Sequence, residues 1–238
     1  QPMESRLAPL YARVMIGRAV RKSARILTVT EAVKRQIVRR FRCDEAKVVV
    51  TPNGVDAVFR TREPRSPARY FLYAGNDKPH KNVDALVDAF AIVRRTIPGV
   101  ALVLAGARFQ RFAAIEGVIT PGFVTTPELA SLYRNALAVV QPSIEEGFGL
   151  PALEAMSCGA AVITSNAPAL VEITGDAALH ADASSPRAIA DAMQRVAADE
   201  ALRSSLAARG IERARPFTWR ACAETTRRVY DDAIARRR

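Results

Sequence analysis

Residues 138 to 159, AVVQPSIEEGFGLPALEAMSCG, contain a short apolar strand, a loop with two glycines and a helix in direct succession. Ala138 to Gln141 are apolar enough for the centre of a sheet. Pro151 suits the first turn of a helix, where its missing N–H would have had no partner. Gly159 closes the helix predicted over 151–158. The stretch is therefore one strand-to-helix unit.

The same alternation of short apolar strands and amphipathic helices continues on both sides of this unit. Continuous apolar strands of this kind indicate a parallel sheet covered by helices on both faces. The sequence predicts an α/β fold with a doubly wound, Rossmann-like parallel sheet over residues 69–215. Strands are expected at 70–74, 101–105, 115–120, 138–141 and 161–164, and helices at 82–96, 127–135 with Thr126 as its cap, 151–158, 168–174, 186–199 and 200–215.

A smaller strand, helix, strand unit precedes this domain. Residues 24–29 and 47–51 predict strands, and Thr30 is a suitable N-cap for a helix over 31–41. The composition then changes to Arg, Pro, Ser and Thr, which is typical of a linker. The predicted units are 1–58, a linker at 59–68, the sheet domain at 69–215 and a C-terminal helix at 216–238.

The net charge of +11 is concentrated in the first part of the chain. Residues 1–70 contain 16 Lys and Arg against 6 Asp and Glu, whereas residues 71–238 contain 19 against 18. Only Tyr11 and Phe41 interleave with the basic residues, so single-stranded nucleic acid, which is bound by stacking, is not expected as a partner. The basic segment suits phosphate, anionic lipid or an acidic partner domain, and a solvated helix face is the alternative.

Neither the hydropathy nor the cysteines indicate a membrane span or a metal site. The apolar runs are far shorter than the ~20 residues that cross a bilayer, and a signal-peptide segment is missing. We therefore expect a cytoplasmic protein, and the opening residue Gln1 indicates a fragment. Cys43, Cys158 and Cys222 are widely spaced without metal-ligand spacing, so no metal is expected.

The loop between the strand and the helix of the opening stretch is a candidate ligand site. Ligands of doubly wound sheets bind outside the carboxyl ends of the strands. Gly147 to Leu150 can turn backbone N–H groups outward ahead of a helix N-terminus, which suits phosphate. Glu146 and Glu154 would repel a bare phosphate, so hydroxyl groups beside it, as in a nucleotide-sugar, are indicated. Alternatively, Glu154 only favours the helix N-terminus, and Glu145 and Glu146 are solvated loop charges.

A second loop, YAGNDKPHKN at residues 73–82, also follows a strand and should open onto the same edge of the sheet. Gly75 provides a small-residue turn, and Lys78 and Lys81 are candidates to neutralise a diphosphate. His80 is interpreted as a loop residue. The second loop favours the nucleotide-sugar interpretation of the first.

The order of these motifs resembles the C-terminal, sugar-donor-binding domain of retaining family-4 glycosyltransferases, the glycosyl transferases group 1 with the two-domain GT-B fold. The resemblance covers residues 24–230 and rests on Gly75 followed by Lys81-Asn82, on Gly122-Phe123-Val124, and on EGFGLPALEAMSCG with its two glutamates separated by seven residues. Residues 28–59 resemble the crossing between the two domains. The resemblance therefore implies that 1–58 is the remnant of an acceptor domain with the crossing segment.

The resemblance also implies a role for each matched residue. Glu154 would bind the ribose hydroxyls, Glu146 would contact the hexose, and Lys81 would stabilise the leaving diphosphate without a metal. The residues implied in binding the sugar donor are Gly75, Asn76, Lys78, Phe123, Gly147, Phe148, Gly149, Leu150 and Glu154. The nucleobase would lie near residues 120–124, held by main-chain groups.

One residue departs from the family pattern. Many members have an arginine directly after the glycine of the first loop, where this chain has Asn76. The usual pair of cations is therefore in doubt, and Lys78 is the candidate replacement. The form Gly-Asn-x-Lys-Pro-His-Lys-Asn is similar to that of mannosyltransferases, which favours GDP-mannose as the sugar donor.

The function implied is transfer of a hexose from a nucleotide-sugar to a saccharide or lipid-linked acceptor, with retention at the anomeric carbon. The nucleotide-sugar is a co-substrate, and no cofactor is expected. The chain is too short to contain a complete acceptor domain, so we expect it to bind the sugar donor and to transfer poorly alone. The alternatives are a nucleotide-sugar-binding module without transferase activity and a sugar-nucleotide epimerase. The basic segment adds the hypothesis of peripheral contact with anionic membrane at its inner face.

Overall fold

The structure is a computed structural model that describes residues 8–60 and 68–235. The helices are α1 (Ala8–Lys22), α2 (Glu31–Phe41), α3 (Val83–Thr96), α4 (Thr126–Asn135), α5 (Leu150–Ser157), α6 (Pro168–Thr174), α7 (Pro186–Ala198), α8 (Glu200–Ala214) and α9 (Trp219–Ala235). The strands are β1 (Ile26–Thr28), β2 (Val48–Val50), β3 (Tyr70–Asn76), β4 (Ala101–Ala107), β5 (Val118–Gly122), β6 (Ala138–Gln141), β7 (Val162–Ser165) and β8 (Leu179–Ala181).

Six strands of the described chain form one parallel sheet in the order β5-β4-β3-β6-β7-β8. The chain builds outward from β3 to β5, then returns to the other side of β3 and builds outward again from β6 to β8. This order defines a doubly wound sheet with a switch point between β3 and β6. The predicted α/β fold is confirmed.

The core lies in two layers, one on each face of the sheet. Phe71 and Tyr73 of β3 point into the layer that contains α3 and α7, whereas Leu72 and Ala74 point into the layer that contains α4, α5 and α6. Alternate residues of a strand face opposite sides, so β3 must be apolar at every position to fill both layers. Phe90 of α3 is fully buried, and burial of a side chain of this size contributes about 1.5–3 kcal/mol.

The segment before the large sheet forms its own parallel pair, β1 with β2, and α2 connects them. Thr30 caps α2 as predicted, since its hydroxyl accepts a hydrogen bond from Val33 N at 3.2 Å. The turn that follows β2 packs against the start of α9. A Cβ added at Gly54 would lie 2.0 Å from Trp219 N, and Val55 N donates to Phe217 O at 2.9 Å. Only glycine permits this close approach.

The start of the predicted linker has a defined structure. Ala57–Arg60 is a short 3₁₀ helix, and Phe59 is 3% exposed. Its ring packs against Tyr133 with centroids 5.8 Å apart, because an aromatic side chain among arginines and prolines still gains by burial. Residues 61–67 of the linker lie outside the described residues, and the division into domains stays a prediction.

Two local predictions are also corrected. The N-cap of α4 is Thr125 and not Thr126. Thr125 is the cap because it forms a capping box with Glu128, whose carboxylate accepts a hydrogen bond from Thr125 N at 2.7 Å. The strand expected at 115–120 begins at Val118, because Gly117 turns the chain with φ of 79°.

Candidate functional site

Two loops diverge at the switch point of the sheet. β3 and β6 are neighbours in the sheet although β4 and β5 separate them in the chain. One loop leaves the carboxyl end of β3 toward α3, and the other leaves β6 toward α5. A crevice forms where such loops separate, and ligands of doubly wound folds bind there. Both candidate loops of the sequence lie at this crevice.

The structure brings Lys81 and Glu146 into direct contact. Lys81 Nζ lies 2.5 Å from Glu146 Oε2, and the two side chains are only 16% and 14% exposed. The backbone holds the loops together, since Ile144 N donates to His80 O at 2.8 Å. Asn82 Nδ2 adds a second connection by donating to Pro142 O at 3.1 Å. The two predicted catalytic side chains, 65 residues apart in the chain, therefore lie side by side at the crevice.

Further hydrogen bonds fix the carboxylate of Glu146. Gly147 N donates to its Oε1 at 3.3 Å, and Ser143 Oγ donates to its Oε2 at 3.4 Å. Both oxygens of this half-buried carboxylate are thus bound by protein groups, and the charge is balanced by Lys81. A buried ion pair is held stably only when its remaining hydrogen-bonding capacity is satisfied in this way. The pair is a preorganised group at the mouth of the crevice.

The glycine loop enters α5 in a conformation that only glycine tolerates well. Gly149 has φ of 93°, and an added Cβ would lie 2.5 Å from Leu170 Cδ2. An added Cβ at Gly147 would meet nothing within 4 Å. Phe148 between them is 5% exposed and packs edge-on against Phe217 with centroids 6.2 Å apart. The side chain of Phe148 therefore anchors the loop, while Gly147 is exposed at the crevice.

Glu154 lies on α5 beside a separate cavity of about 300 Å³. Its Oε2 accepts a hydrogen bond from Tyr133 Oη at 3.1 Å. Burial raises the pKa of Glu154 to about 7, the Tyr133 hydrogen bond lowers it, and the charge of Asp56 raises it. The other residues that line the cavity are Gly54, Asp56, Phe59, Val124, Thr126, Leu129, Leu150 and Trp219.

The remaining predicted residues lie around the end of β3 and at the end of β5. An added Cβ at Gly75 would meet Tyr73 Oη at 2.8 Å, so this position favours glycine. Asn76 O accepts from Tyr73 Oη at 3.0 Å, and no described residue hydrogen-bonds to the buried Asn76 Oδ1. Lys78 is exposed at the start of the turn that contains Lys81. Phe123 follows β5 and is 88% exposed.

The segment before the large sheet forms a further wall of the site. Thr30 Oγ1 donates to Gly147 O at 2.9 Å, so the start of α2 touches the glycine loop. Glu172 of α6 accepts hydrogen bonds from Glu31 N at 2.7 Å and Ala32 N at 2.8 Å, and thereby completes the cap of α2. A second cavity of about 300 Å³ lies between these elements. Its lining residues are Val33, Gln36, His80, Ile144, Glu145, Glu146, Gly147, Pro168 and Ala169.

Several residues around the cavities were not among the predicted site residues. Tyr133 looks like an ordinary core residue of an amphipathic helix, and Gln36 looks like a surface residue of another. Trp219 opens the C-terminal helix, far along the chain from both loops. Gln36 and Trp219 line the cavities through the packing of α2 and α9 around the sheet, and Tyr133 of α4 contacts Glu154.

The geometry carries no indication of a metal centre. Within residues 8–60 and 68–235, His, Cys, Asp and Glu do not form a group of three or more that could hold a metal ion. No helix in these ranges is both long and apolar enough to pass through a bilayer.

Known proteins resemble this chain in sequence and in fold. The O-antigen chain mannosyltransferase B of Escherichia coli is 33% identical over 230 residues, which cover 86% of this chain and 60% of that protein. The D-inositol 3-phosphate glycosyltransferase of Paenarthrobacter aurescens is 31% identical over 244 residues, covering 92% and 60%. Sucrose-phosphate synthase from Thermosynechococcus elongatus has a similar solved structure, with a TM-score of 0.80, 23% identity and coverage of 98% and 64%. The chain thus spans about 60% of the length of these curated relatives.

The fold and the crevice define a doubly wound α/β protein with a preorganised site at its switch point. Residues 56–213 match the family model described as Glycosyl transferases group 1, and residues 2–59 match the one described as Glycosyltransferase Family 4. The chain belongs to the glycosyl transferases group 1 family.

Proposed function

We propose that this chain binds a nucleotide-sugar and forms the sugar-donor side of an enzyme that transfers a hexose with retention to a saccharide or lipid-linked acceptor. The observation that carries the proposal is the contact of Lys81 with Glu146 at the switch point, directly beside the glycine loop. Glu154 lines a cavity on the nucleotide side of that loop. A diphosphate that joins two sugars needs a cation and amide groups for its phosphates, and carboxylates for the hydroxyls of the two sugars.

The proposed reaction uses these residues without a nucleophilic side chain. The bond between the anomeric carbon and the phosphate oxygen breaks, and its electron pair stays on the phosphate. Lys81 and the amides of Gly149 and Leu150 stabilise that charge. The acceptor hydroxyl forms the new bond on the same face, and its proton passes to the departing phosphate oxygen. Glu146 orients the hexose by accepting hydrogen bonds from its hydroxyls.

A bound diphosphate would compete with Glu146 for Lys81. The leaving group carries more negative charge than the single carboxylate of Glu146, so it competes for Lys81. Release of Lys81 frees Glu146 for the sugar hydroxyls. Binding of the sugar donor and exposure of the hexose-binding carboxylate are thereby coupled.

We propose GDP-mannose as the first candidate sugar donor. The similarity to an O-antigen chain mannosyltransferase supports mannose, as does the sequence form around Lys81. A similar solved structure, that of Anabaena HepE, is a complex with UDP-glucose, at 17% identity and a TM-score of 0.80. That likeness concerns the fold, so UDP-sugars enter the test as competitors.

The transferase interpretation has two rivals. A nucleotide-sugar-binding module would bind the same ligands, but even a longer protein that contains this chain would not transfer sugar. An epimerase would release nucleotide and free sugar without an acceptor. The short span of the chain relative to its relatives supports a further expectation, namely that the isolated chain binds the sugar donor and turns over poorly.

The exposed side of α1 supports contact with anionic membrane on its cytoplasmic face. Tyr11, Val14, Met15 and Ile16 are each between 47% and 68% exposed, and Arg18 is exposed one turn beyond them. Exposed apolar side chains beside basic ones are typical of a helix at a membrane interface. Sedimentation with vesicles should increase with their phosphatidylserine content and decrease with salt. Vesicle binding that depends neither on the phosphatidylserine content nor on the salt concentration would contradict this part of the proposal.

Calorimetry with GDP-mannose, UDP-glucose and ADP-glucose tests the central proposal. We expect the wild type to bind one of them, and we expect Glu154→Ala to lose most of that affinity. Glu200→Ala, an exposed glutamate at the start of α8 that lines neither cavity, is the matched control and should bind as the wild type does. The absence of binding to every nucleotide-sugar, or equal binding by Glu154→Ala, would refute the proposed site.

A further inference from the structure

Tyr133 is a fully buried tyrosine of α4 whose hydroxyl group ends at the candidate site. Its Oη donates to Glu154 Oε2 at 3.1 Å, across the interface between α4 and α5. The ring is held by Phe59, with centroids 5.8 Å apart. The hydroxyl of a side chain packed in this way has a fixed position, so it offers Glu154 a hydrogen bond of constant geometry.

This hydrogen bond orients the carboxylate of Glu154 by one of its two oxygens, Oε2. Glu154 as a whole lines the cavity, so its other oxygen, Oε1, can accept from a ribose hydroxyl while the hydrogen bond from Tyr133 is kept. Without the tyrosine hydroxyl, the carboxylate could rotate, and its capture of a ligand hydroxyl would cost more side-chain entropy.

The same hydrogen bond acts on the charge of Glu154. Burial raises the pKa of this carboxyl, and the hydroxyl of Tyr133 opposes that effect by stabilising the ionised form. The ionised form is the one that accepts hydrogen bonds from both hydroxyls of a diol. The other titratable groups that act on this pair are Asp56 before the sheet, Tyr73 of β3 and Cys158 after α5, and Arg134 of α4 acts in turn on Cys158.

We propose that Tyr133 is the positioning residue of the nucleotide site: its hydroxyl orients the Glu154 carboxylate toward the ribose and favours its ionised form. The inference rests on the proposed function, because it names the residue that prepares the ribose-binding group. Tyr133 itself is buried behind Glu154 and acts through it.

The test compares Tyr133→Phe with Tyr70→Phe. Tyr70 Oη donates to Leu132 O at 2.8 Å, so this variant loses a partly buried hydroxyl that contacts the backbone of the same helix. Calorimetric titration with GDP and with UDP, from pH 6 to pH 8.5, measures the dissociation constant of each protein. We expect Tyr133→Phe to bind about tenfold more weakly at pH 7, which is the effect of losing one hydrogen bond to a charged group. Its affinity should recover in part at pH 8.5, where Glu154 ionises without assistance.

The pH dependence separates positioning from simple packing. In the wild type the affinity should rise as the pH passes about 7, the pKa of Glu154, and in Tyr133→Phe this midpoint should move upward. Tyr70→Phe should keep the wild-type midpoint and affinity. A Tyr133→Phe protein with an unchanged midpoint, or with the same loss at every pH, would overturn the inference.

A second measurement does not depend on nucleotide binding. NMR titration of ¹³C-labelled glutamate carboxyls in the ligand-free protein gives the pKa of Glu154 directly. We expect a higher value in Tyr133→Phe than in the wild type, and equal values would overturn the role of Tyr133. A wild type that binds neither nucleotide would refute the proposed function, whereas the carboxyl titration would still decide the effect of Tyr133 on Glu154.

Discussion

Replacement of Glu154 by glutamine should remove a large pH dependence from the stability of the protein. Burial raises the pKa of Glu154 from 4.5 to about 7 in the folded state. The folded state therefore holds this proton more tightly than the unfolded chain does. The stabilisation is complete below the unfolded pKa, and it is lost as the pH rises through 7. The protein should accordingly become less stable between pH 5 and pH 8.

The magnitude follows from the size of the shift. Each unit of pKa difference corresponds to about 1.36 kcal/mol, and between pH 5 and pH 8 the two titrations differ by about 2.5 kcal/mol. Glu154→Gln cannot titrate at this position, while its side-chain oxygen can still accept from Tyr133. The unfolding free energy of the wild type relative to that of Glu154→Gln should thus be about 2.5 kcal/mol higher at pH 5 than at pH 8.

Urea denaturation at several pH values provides the assay, followed by the fluorescence of Trp219, the single tryptophan of the chain. Comparison of two proteins at each pH cancels the titration of all other groups. Glu145→Gln serves as the control, because Glu145 is exposed in the neighbouring loop and should follow the wild-type curve. If wild type and Glu154→Gln have parallel stability curves from pH 5 to pH 8, Glu154 is not buried as described, and the reasoning fails.

Three further predictions concern the loops and the cavity. Lys81→Met should weaken binding of a nucleoside diphosphate at least tenfold in calorimetry and leave binding of the free nucleoside nearly unchanged, because phosphate is the only part of the ligand that Lys81 is proposed to contact. Equal losses for both ligands would contradict this. Nucleotide binding should change the emission of Trp219, which lines the Glu154 cavity, and an unchanged spectrum at calorimetric saturation would place the nucleotide elsewhere. Gly149→Ala should lower the unfolding free energy by about 1–3 kcal/mol, since the residue has positive φ and the new Cβ meets Leu170 at 2.5 Å. Gly147→Ala is its matched control in the same denaturation assay and should be nearly neutral.

The architecture was predictable because its signals are local. Thr30 caps α2, and Pro168–Thr174 forms a helix with the predicted bounds. Strands buried on both faces, such as Ala101–Ala107, are recognisable because nearly every residue must be apolar. The order of strands and helices then fixes the doubly wound sheet.

The parts of the site that depend on long-range packing were not predictable. The sequence placed Lys81 and Glu146 on the same edge of the sheet, but their contact depends on how the two loops are joined. Tyr133 has the periodicity of a core residue, and that pattern does not indicate which group its hydroxyl contacts. Phe59 was assigned to a linker because composition averages over neighbours, whereas burial depends on one side chain.

The cap of α2 has a consequence for the order in which the protein can fold during its synthesis. The carboxylate that completes the helix start belongs to Glu172, 140 residues after Ala32. At a translation rate of about 5–20 residues per second, this group leaves the ribosome on the order of ten seconds after the helix it caps. The β1–β2 pair is itself too small to be stable alone. These elements, although made before the large sheet, are therefore among the last to reach their final structure, and a nascent chain would expose them to chaperones throughout that interval.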